Sequence, residues 1–185
     1  MIVVSQTVYI EAPVERVFAL MADPAGRSRL NPTAAPLVAE IEGGGPLALG
    51  SLCHYRLRTA AGIVDYRTRV REFEPPHRIV SVSETAVPFE VKVELAPAAT
   101  GTLLTQTEIF EPSEAMLRGA LADRQSNGIV QLAYRLYLWL DTDAALELRQ
   151  RQEQLLQQQL EANMRSWLGS IKEHFERKVR TSVSR

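Results

Sequence analysis

Residues 2–18 read Ile2-Val-Val-Ser-Gln-Thr-Val-Tyr-Ile-Glu-Ala-Pro-Val-Glu-Arg-Val-Phe18, and the hydrophobic period changes once within this stretch. Up to Ile10, apolar and polar residues alternate and β-branched residues are frequent, which is typical of a strand with one apolar face. After Pro13, which suits the first turn of a helix, apolar residues recur at helical spacing up to Met21. The stretch therefore predicts a strand that is followed directly by a short helix.

Strands and turns make up the sequence from Pro36 to Phe110. Glycine and proline mark the turns, for example Gly43-Gly-Gly-Pro46 and Pro75-Pro76. Because the segments are short, evenly spaced and charged along one face, they indicate an antiparallel meander that is solvated on one side. The predicted strands are Leu37 to Glu42, Ser51 to Arg58, Ile63 to Phe73, Arg78 to Glu84, Phe89 to Leu95 and Thr102 to Phe110.

A long amphipathic helix is predicted from Thr142 to about Lys178, where the sequence has no proline and a single glycine, Gly169. A sheet with one apolar face and a helix with one apolar stripe must bury each other. The predicted fold class is therefore α+β, with an antiparallel sheet of about six to seven strands, a long C-terminal helix and two short helices after the first strand. The apolar stripe of the long helix consists of Leu156, Leu160, Met164, Trp167, Leu168, Ile171 and Phe175.

The composition limits the classes of function. Lys+Arg is 21 and Asp+Glu is 22, for a formal charge of −1, whereas nucleic-acid-binding domains usually carry a basic excess, so we expect no nucleic-acid partner. One cysteine, Cys53, and three separated histidines offer no metal-ligand spacing, and we expect neither a metal nor a cofactor. No apolar run approaches the roughly 18–20 residues of a membrane-spanning helix. We therefore expect a soluble, cytoplasmic protein with a single domain over residues 1–185.

Four local motifs follow one another along the chain. They are Ile10-Glu-Ala-Pro-Val-Glu-Arg-Val-Phe18 with Ala22-Asp-Pro24, then Val70-Arg-Glu-Phe-Glu-Pro-Pro-His-Arg-Ile79, Gly101-Thr-Leu-Leu-Thr105 and Leu168-Gly-Ser-Ile-Lys-Glu-His-Phe-Glu176. In this order the sequence resembles START-like (SRPBCC) proteins of the polyketide cyclase/dehydrase family, over residues 2–111 and about 150–178. The resemblance implies a helix-grip fold, in which a curved antiparallel sheet wraps around the C-terminal helix and leaves an apolar cavity between them.

A few polar groups in an apolar setting are typical of a small-molecule site, and the concave side of such a sheet has this composition. We therefore predict a small apolar or aromatic ligand, polyketide-like or lipid-like, in the cavity. The same side chains also fit an ordinary packed core, since a fold does not by itself supply a function. The predicted ligand-binding residues are Gln6, Cys53, Tyr55, Tyr66, Phe89 and Val91 on the sheet and Met164, Trp167 and Ile171 on the helix.

Two alternative functions remain open, and no residue is assigned as catalytic. The first is a cyclase or dehydratase in which a pocket side chain, Tyr55, Tyr66 or Glu108, exchanges a proton with the substrate. Glu108 qualifies only if its face of the last strand points inward, whereas we expect the opposite, threonine-rich face with Leu103 and Ile109 to be the interior. The second alternative is a self-associating interaction protein with a vestigial cavity.

An extra, mainly helical segment is predicted at 112–149, before the C-terminal helix. Within it, residues 129–140 fit either a strand or a helix, and the lack of glycine and proline favours a helix. Its leucines and aromatic residues exceed what one helix face can bury, so we expect the segment to cover the cavity mouth or to pair with a second copy. We favour a homodimer through residues 112–156, because two-fold pairing is the commonest assembly.

Overall fold

The computed structural model describes residues 1–60, 62–85, 87–112, 117 and 142–183, which form a curved antiparallel sheet and three helices. The helices are α1 (Val14–Met21), α2 (Pro24–Arg29) and α3 (Thr142–Val183). The strands are β1 (Ile2–Ile10), β2 (Ala34–Ile41), β3 (Leu52–Thr59), β4 (Gly62–Glu74), β5 (Arg78–Ser83), β6 (Phe89–Ala98) and β7 (Gly101–Phe110). The predicted α+β class, the two short helices after the first strand and the long C-terminal helix are confirmed.

The sheet has the strand order β1-β7-β6-β5-β4-β3-β2, and all neighbours are antiparallel. Helices α1 and α2 carry the chain from β1 at one edge to β2 at the other, and the remaining strands return as a meander until β7 pairs with β1. The register shifts between Pro36 and Val38 and between Val70 and Glu72. Because such bulges bend a strand and increase its twist, they contribute to the curvature of the sheet.

Helix α3 lies against β1 and across the concave side of the sheet. The core between them is almost fully buried, with Val4 and Leu104 from the sheet and Ile171 from α3 each 0% exposed. Helix α1 closes one end of this core with Val17 and Met21. Burial of the apolar stripe of α3 by the apolar face of the sheet therefore holds the fold together.

The inward face of β7 is the opposite of the one expected from its threonines. Leu104 is completely buried and Glu108 faces the concave side, whereas Leu103 is 39% exposed. On the convex side, Thr105 lies opposite Thr7 in the β1–β7 ladder, and their hydroxyl oxygens are 2.9 Å apart. The expected interior face was wrong because these threonines pair with polar side chains of β1 instead of packing in the core.

Several sequence predictions fall outside the described residues. They concern the helix over 129–140, the extra helical segment at 112–149 and most of the homodimer surface at 112–156, and they stay predictions, as does the single domain over 1–185. Leu117, which is described, is 1% exposed and belongs to the core. Within the described ranges, no helix is both long and apolar enough to cross a membrane.

Candidate ligand-binding site

A cavity of about 210 Å³ lies between the concave side of the sheet and α3. Its apolar and aromatic wall is formed by Ala34, Tyr55, Leu57, Tyr66, Phe89, Val91, Leu160, Met164 and Trp167. Its polar wall is formed by Arg27, Ser28, Asn31, Thr33, Thr68, Ser81, Gln106, Glu108 and Asn163. A second space, an open groove of about 450 Å³ between α2 and α3, is lined largely by charged and polar side chains such as Arg29 and Glu173. The cavity between sheet and α3 combines an apolar and aromatic wall with polar groups, as small-molecule sites do.

Most of the predicted ligand-binding residues lie in the cavity wall, and three lie outside it. Gln6 is on β1, where α3 packs directly against the strand and occupies the space in front of it. Cys53 and Ile171, at 2% and 0% exposure, belong to the close-packed core beside the cavity. The packed-core interpretation describes the environment of Cys53 and Ile171, whereas Gln6 is half-buried. The predicted residues in the wall are Tyr55, Tyr66, Phe89, Val91, Met164 and Trp167.

Three aromatic rings form a continuous surface on the sheet side of the cavity. Tyr55 and Tyr66 are directly opposite each other on β3 and β4, and their rings stack with centroids 5.1 Å apart and planes at 20°. Phe89 meets Tyr66 edge-on, with centroids 5.3 Å apart and planes at 80°. Each ring is therefore held by a neighbour in a favourable geometry, which gives the wall a fixed shape.

Arg27 brings a positive charge into the cavity wall from α2. Its Nη1 donates to the carbonyl oxygen of Met21 at 3.3 Å, its Nη2 donates to the Tyr55 hydroxyl, and its guanidinium carbon is 5.6 Å from the Tyr55 ring centroid. The backbone carbonyl of Arg27 accepts a hydrogen bond from Nε1 of Trp167 at 3.1 Å. Burial lowers the pKa of Arg27, but the neighbouring hydroxyls of Tyr55 and Tyr66 outweigh it and leave the pKa raised. Arg27 is thus a fixed cation.

Gln106 and Glu108 form a polar pair on the β7 side of the cavity. Nε2 of Gln106 donates to Oε1 of Glu108 at 2.8 Å, whereas Oε1 of Gln106 is buried and has no hydrogen-bond partner among the described residues. Burial raises the pKa of Glu108. The hydrogen bond from Gln106 and the charge of Arg27 lower this pKa by less, so it stays above its usual value. Because desolvation disfavours a carboxylate, Glu108 stays protonated up to a higher pH than an exposed glutamic acid does.

Sequence reasoning missed most of the polar half of the wall and named Glu108 only as a conditional candidate. Arg27 is one of many scattered arginines, and nothing in its local sequence distinguishes it from the exposed Arg29. The position of Gln106 and Glu108 depends on which face of β7 points inward, and the threonine-rich opposite face predicted the wrong side. In the sheet, Gln106 lies opposite Gln6 of β1 and Val93 of β6. Among the side chains that the structure describes, no three of the His, Cys, Asp and Glu residues come together as a metal site.

The curved antiparallel sheet, the long C-terminal helix and the cavity between them define the class of protein. Comparison with known families identifies the family. The family described as "Polyketide cyclase / dehydrase and lipid transport" matches residues 1–136. The chain belongs to this family. A search of curated proteins found no match.

Solved structures share the fold at low sequence identity. The chain is similar to TTHA0849 from Thermus thermophilus, with 17% identity, a TM-score of 0.58 and coverage of 91% of this chain and 96% of that one. It is similar to the polyketide cyclase-like protein Cgl2372 from Corynebacterium glutamicum, with 16% identity, a TM-score of 0.54 and coverage of 96% and 93%. It is also similar to the di-domain ARO/CYC protein BexL of the BE-7585A biosynthetic pathway, with 18% identity, a TM-score of 0.56 and coverage of 94% and 50%.

Proposed function

We propose that the protein binds a small apolar or aromatic molecule, polyketide-like or lipid-like, in the cavity between the sheet and α3. The observation that carries the proposal is the cavity of about 210 Å³ with the fixed aromatic surface of Tyr55, Tyr66 and Phe89. Ligand sites combine such a wall with a few placed polar groups, and Arg27 and Gln106 fill that role here. Membership of a family of polyketide cyclases, dehydrases and lipid transport proteins supports the same class of ligand.

A neutral fluorescent probe tests this proposal. Phenylnaphthylamine is expected to bind the folded protein with one molecule per chain and to show enhanced emission in the apolar cavity. Val91→Trp places a large ring in the cavity wall and is expected to weaken binding at least about tenfold, a loss of roughly 1.4 kcal/mol of binding free energy.

The matched control is Val3→Trp, because Val3 is a β-strand valine that is 44% exposed and does not line the cavity. This variant is expected to bind the probe like the wild type. Equal binding by the wild type and by Val91→Trp, or no binding to the folded protein, contradicts the proposal.

Acid–base catalysis in the same cavity is the second candidate, and the inward position of Glu108 favours it. A carboxyl group with a raised pKa donates a proton below that pKa and accepts one above it, so Glu108 can serve as a general acid or as a general base. Tyr66 borders the cavity beside it, and burial, together with the nearby Tyr55 hydroxyl, raises the pKa of Tyr66. The Tyr66 hydroxyl therefore stays protonated and can donate to a substrate oxygen.

Turnover of a poly-β-ketone analogue distinguishes catalysis from binding alone. If Glu108 transfers a proton, Glu108→Gln is expected to lower the turnover number about a hundredfold, the usual lower bound for a lost general acid or base. Glutamine keeps the shape of the side chain, so phenylnaphthylamine should bind this variant like the wild type. Turnover that is equal in Glu108→Gln and the wild type excludes this role for Glu108.

A further inference from the structure

We propose that the ligand is an apolar or aromatic acid whose carboxylate binds Arg27. This inference rests on the proposed function and specifies the chemical class of the ligand. It follows from a cation in the cavity wall that has no anionic partner among the residues that the structure describes.

The hydrogen bonds of Arg27 leave most of its binding capacity unused. A guanidinium has five N–H donors, and those of Arg27 reach two neutral acceptors, the Met21 carbonyl oxygen and the Tyr55 hydroxyl. Arginines elsewhere on the sheet are paired, since Nε of Arg67 is 2.6 Å from Glu42 and Nε of Arg69 is 2.6 Å from Glu84. A partly buried cation without an anion is costly, and a ligand carboxylate would remove that cost.

The carboxyl group of the cavity does not supply this anion. Glu108 accepts its hydrogen bond from Gln106 and forms no ion pair with Arg27. Burial raises the pKa of Glu108 and so favours its neutral form. Among the described residues, Arg27 therefore has no carboxylate within ion-pair distance.

Arg27 is also held in place before any ligand arrives. Nε1 of the Trp167 indole donates a hydrogen bond to the backbone carbonyl of Arg27 at 3.1 Å. The Arg27 guanidinium donates to the Tyr55 hydroxyl and lies over the Tyr55 ring. A planar guanidinium with a fixed orientation matches the two oxygens of a carboxylate. The rings of Tyr66 and Phe89 continue the wall from Tyr55, so a flat apolar body can lie on them while its carboxylate reaches Arg27.

A second unsatisfied group points to a polar ligand independently of Arg27. Gln106 lines the cavity and is 1% exposed, and its Oε1 is buried without a donor among the described residues. Buried acceptors in folded proteins almost always have a partner. A ligand carboxylate accepts hydrogen bonds and would satisfy Arg27, whereas Oε1 of Gln106 is an acceptor and needs a donor, such as a hydroxyl on the same ligand.

Two probes of the same shape test the charge preference. Naphthoate carries a carboxylate where naphthamide carries a neutral carboxamide. The wild type is expected to bind naphthoate at least about tenfold more tightly than naphthamide, because charge-assisted hydrogen bonds are roughly twice as strong as neutral ones. In Arg27→Gln this preference is expected to disappear while naphthamide still binds. Arg29→Gln, which removes the exposed arginine of the same helix, is expected to keep the wild-type preference.

The outcomes separate the inference from the proposed function. Equal binding of both probes by the wild type, or an unchanged preference in Arg27→Gln, overturns the inference and leaves the cavity as a site for neutral ligands. Binding of neither probe overturns both. If Arg27→Gln does not fold, Arg27→Lys is the test variant, because lysine keeps the charge and lacks the planar guanidinium. The affinity for naphthoate should then fall, while naphthoate should still bind more tightly than naphthamide. Loss of that preference in folded Arg27→Lys, or naphthoate affinity unchanged from the wild type, overturns the inference.

Discussion

Replacing Trp167 with alanine is expected to lower the free energy of unfolding by about 3 kcal/mol, the lower end for large aromatic side chains in cores. Trp167 packs against the core from α3, lines the cavity and donates a hydrogen bond from Nε1 to the Arg27 carbonyl at 3.1 Å. Alanine removes the ring contacts and the hydrogen bond and enlarges the cavity. Urea unfolding followed by circular dichroism measures the loss.

Trp167→Phe separates the contribution of the ring contacts from that of the hydrogen bond. Phenylalanine keeps an aromatic ring against the core but has no N–H donor, and the Arg27 carbonyl retains its bond from the Leu30 amide at 3.2 Å. The expected loss is therefore about 1 kcal/mol, the usual net value of one hydrogen bond. If Trp167→Ala costs less than about 1 kcal/mol, as substitutions on the surface do, the side chain does not bridge α2 and α3.

Local periodicity located β1 and α3, because apolar residues recur in β1 with a period of two and in α3 at helical spacing. Strand β1 runs from Ile2 to Ile10 as predicted, and α3 begins at the predicted Thr142. Strand β2 begins earlier than predicted, at Ala34, because Pro36 indicates a break. Pro36 is tolerated because β2 is an edge strand with a register shift at that position, where the missing N–H interrupts no ladder.

The aromatic half of the candidate site was predictable from strand alternation, and the polar half was not. Tyr55 and Tyr66 share the inward face with the apolar residues of their strands, so their position follows from the period of two. Gln106 and Glu108 share the face of β7 that carries Leu104, and the sequence of β7 does not reveal which face is inward because Leu103 and Ile109 lie on the other. The role of Arg27 depends on how α2 lies against Tyr55, which is a property of tertiary packing alone.

The turn into β7 requires a residue without a side chain, and a substitution there is expected to destabilise the protein strongly. A Cβ at Gly101 would lie 2.2 Å from the carbonyl oxygen of Ile10 and 2.8 Å from the hydroxyl oxygen of Tyr9. The Ile10 oxygen is a backbone atom at the end of β1 and cannot move without disturbing the β1–β7 ladder, in which Ile10 pairs with Thr102. Gly101→Ala is therefore expected to lower the free energy of unfolding by about 2–3 kcal/mol, as overpacking does.

Gly169→Ala is the matched control, and it is expected to change stability in the opposite direction. A Cβ at Gly169 would meet no heavy atom within 4 Å, and the residue lies inside α3. Alanine is favoured over glycine in a helix interior by about 1 kcal/mol, so this variant should unfold at a higher urea concentration than the wild type. If Gly101→Ala is instead as stable as Gly169→Ala, the end of β1 does not approach β7 as closely as the ladder requires. The inward position of Gln106 and Glu108, which rests on the same register, would then lose its support.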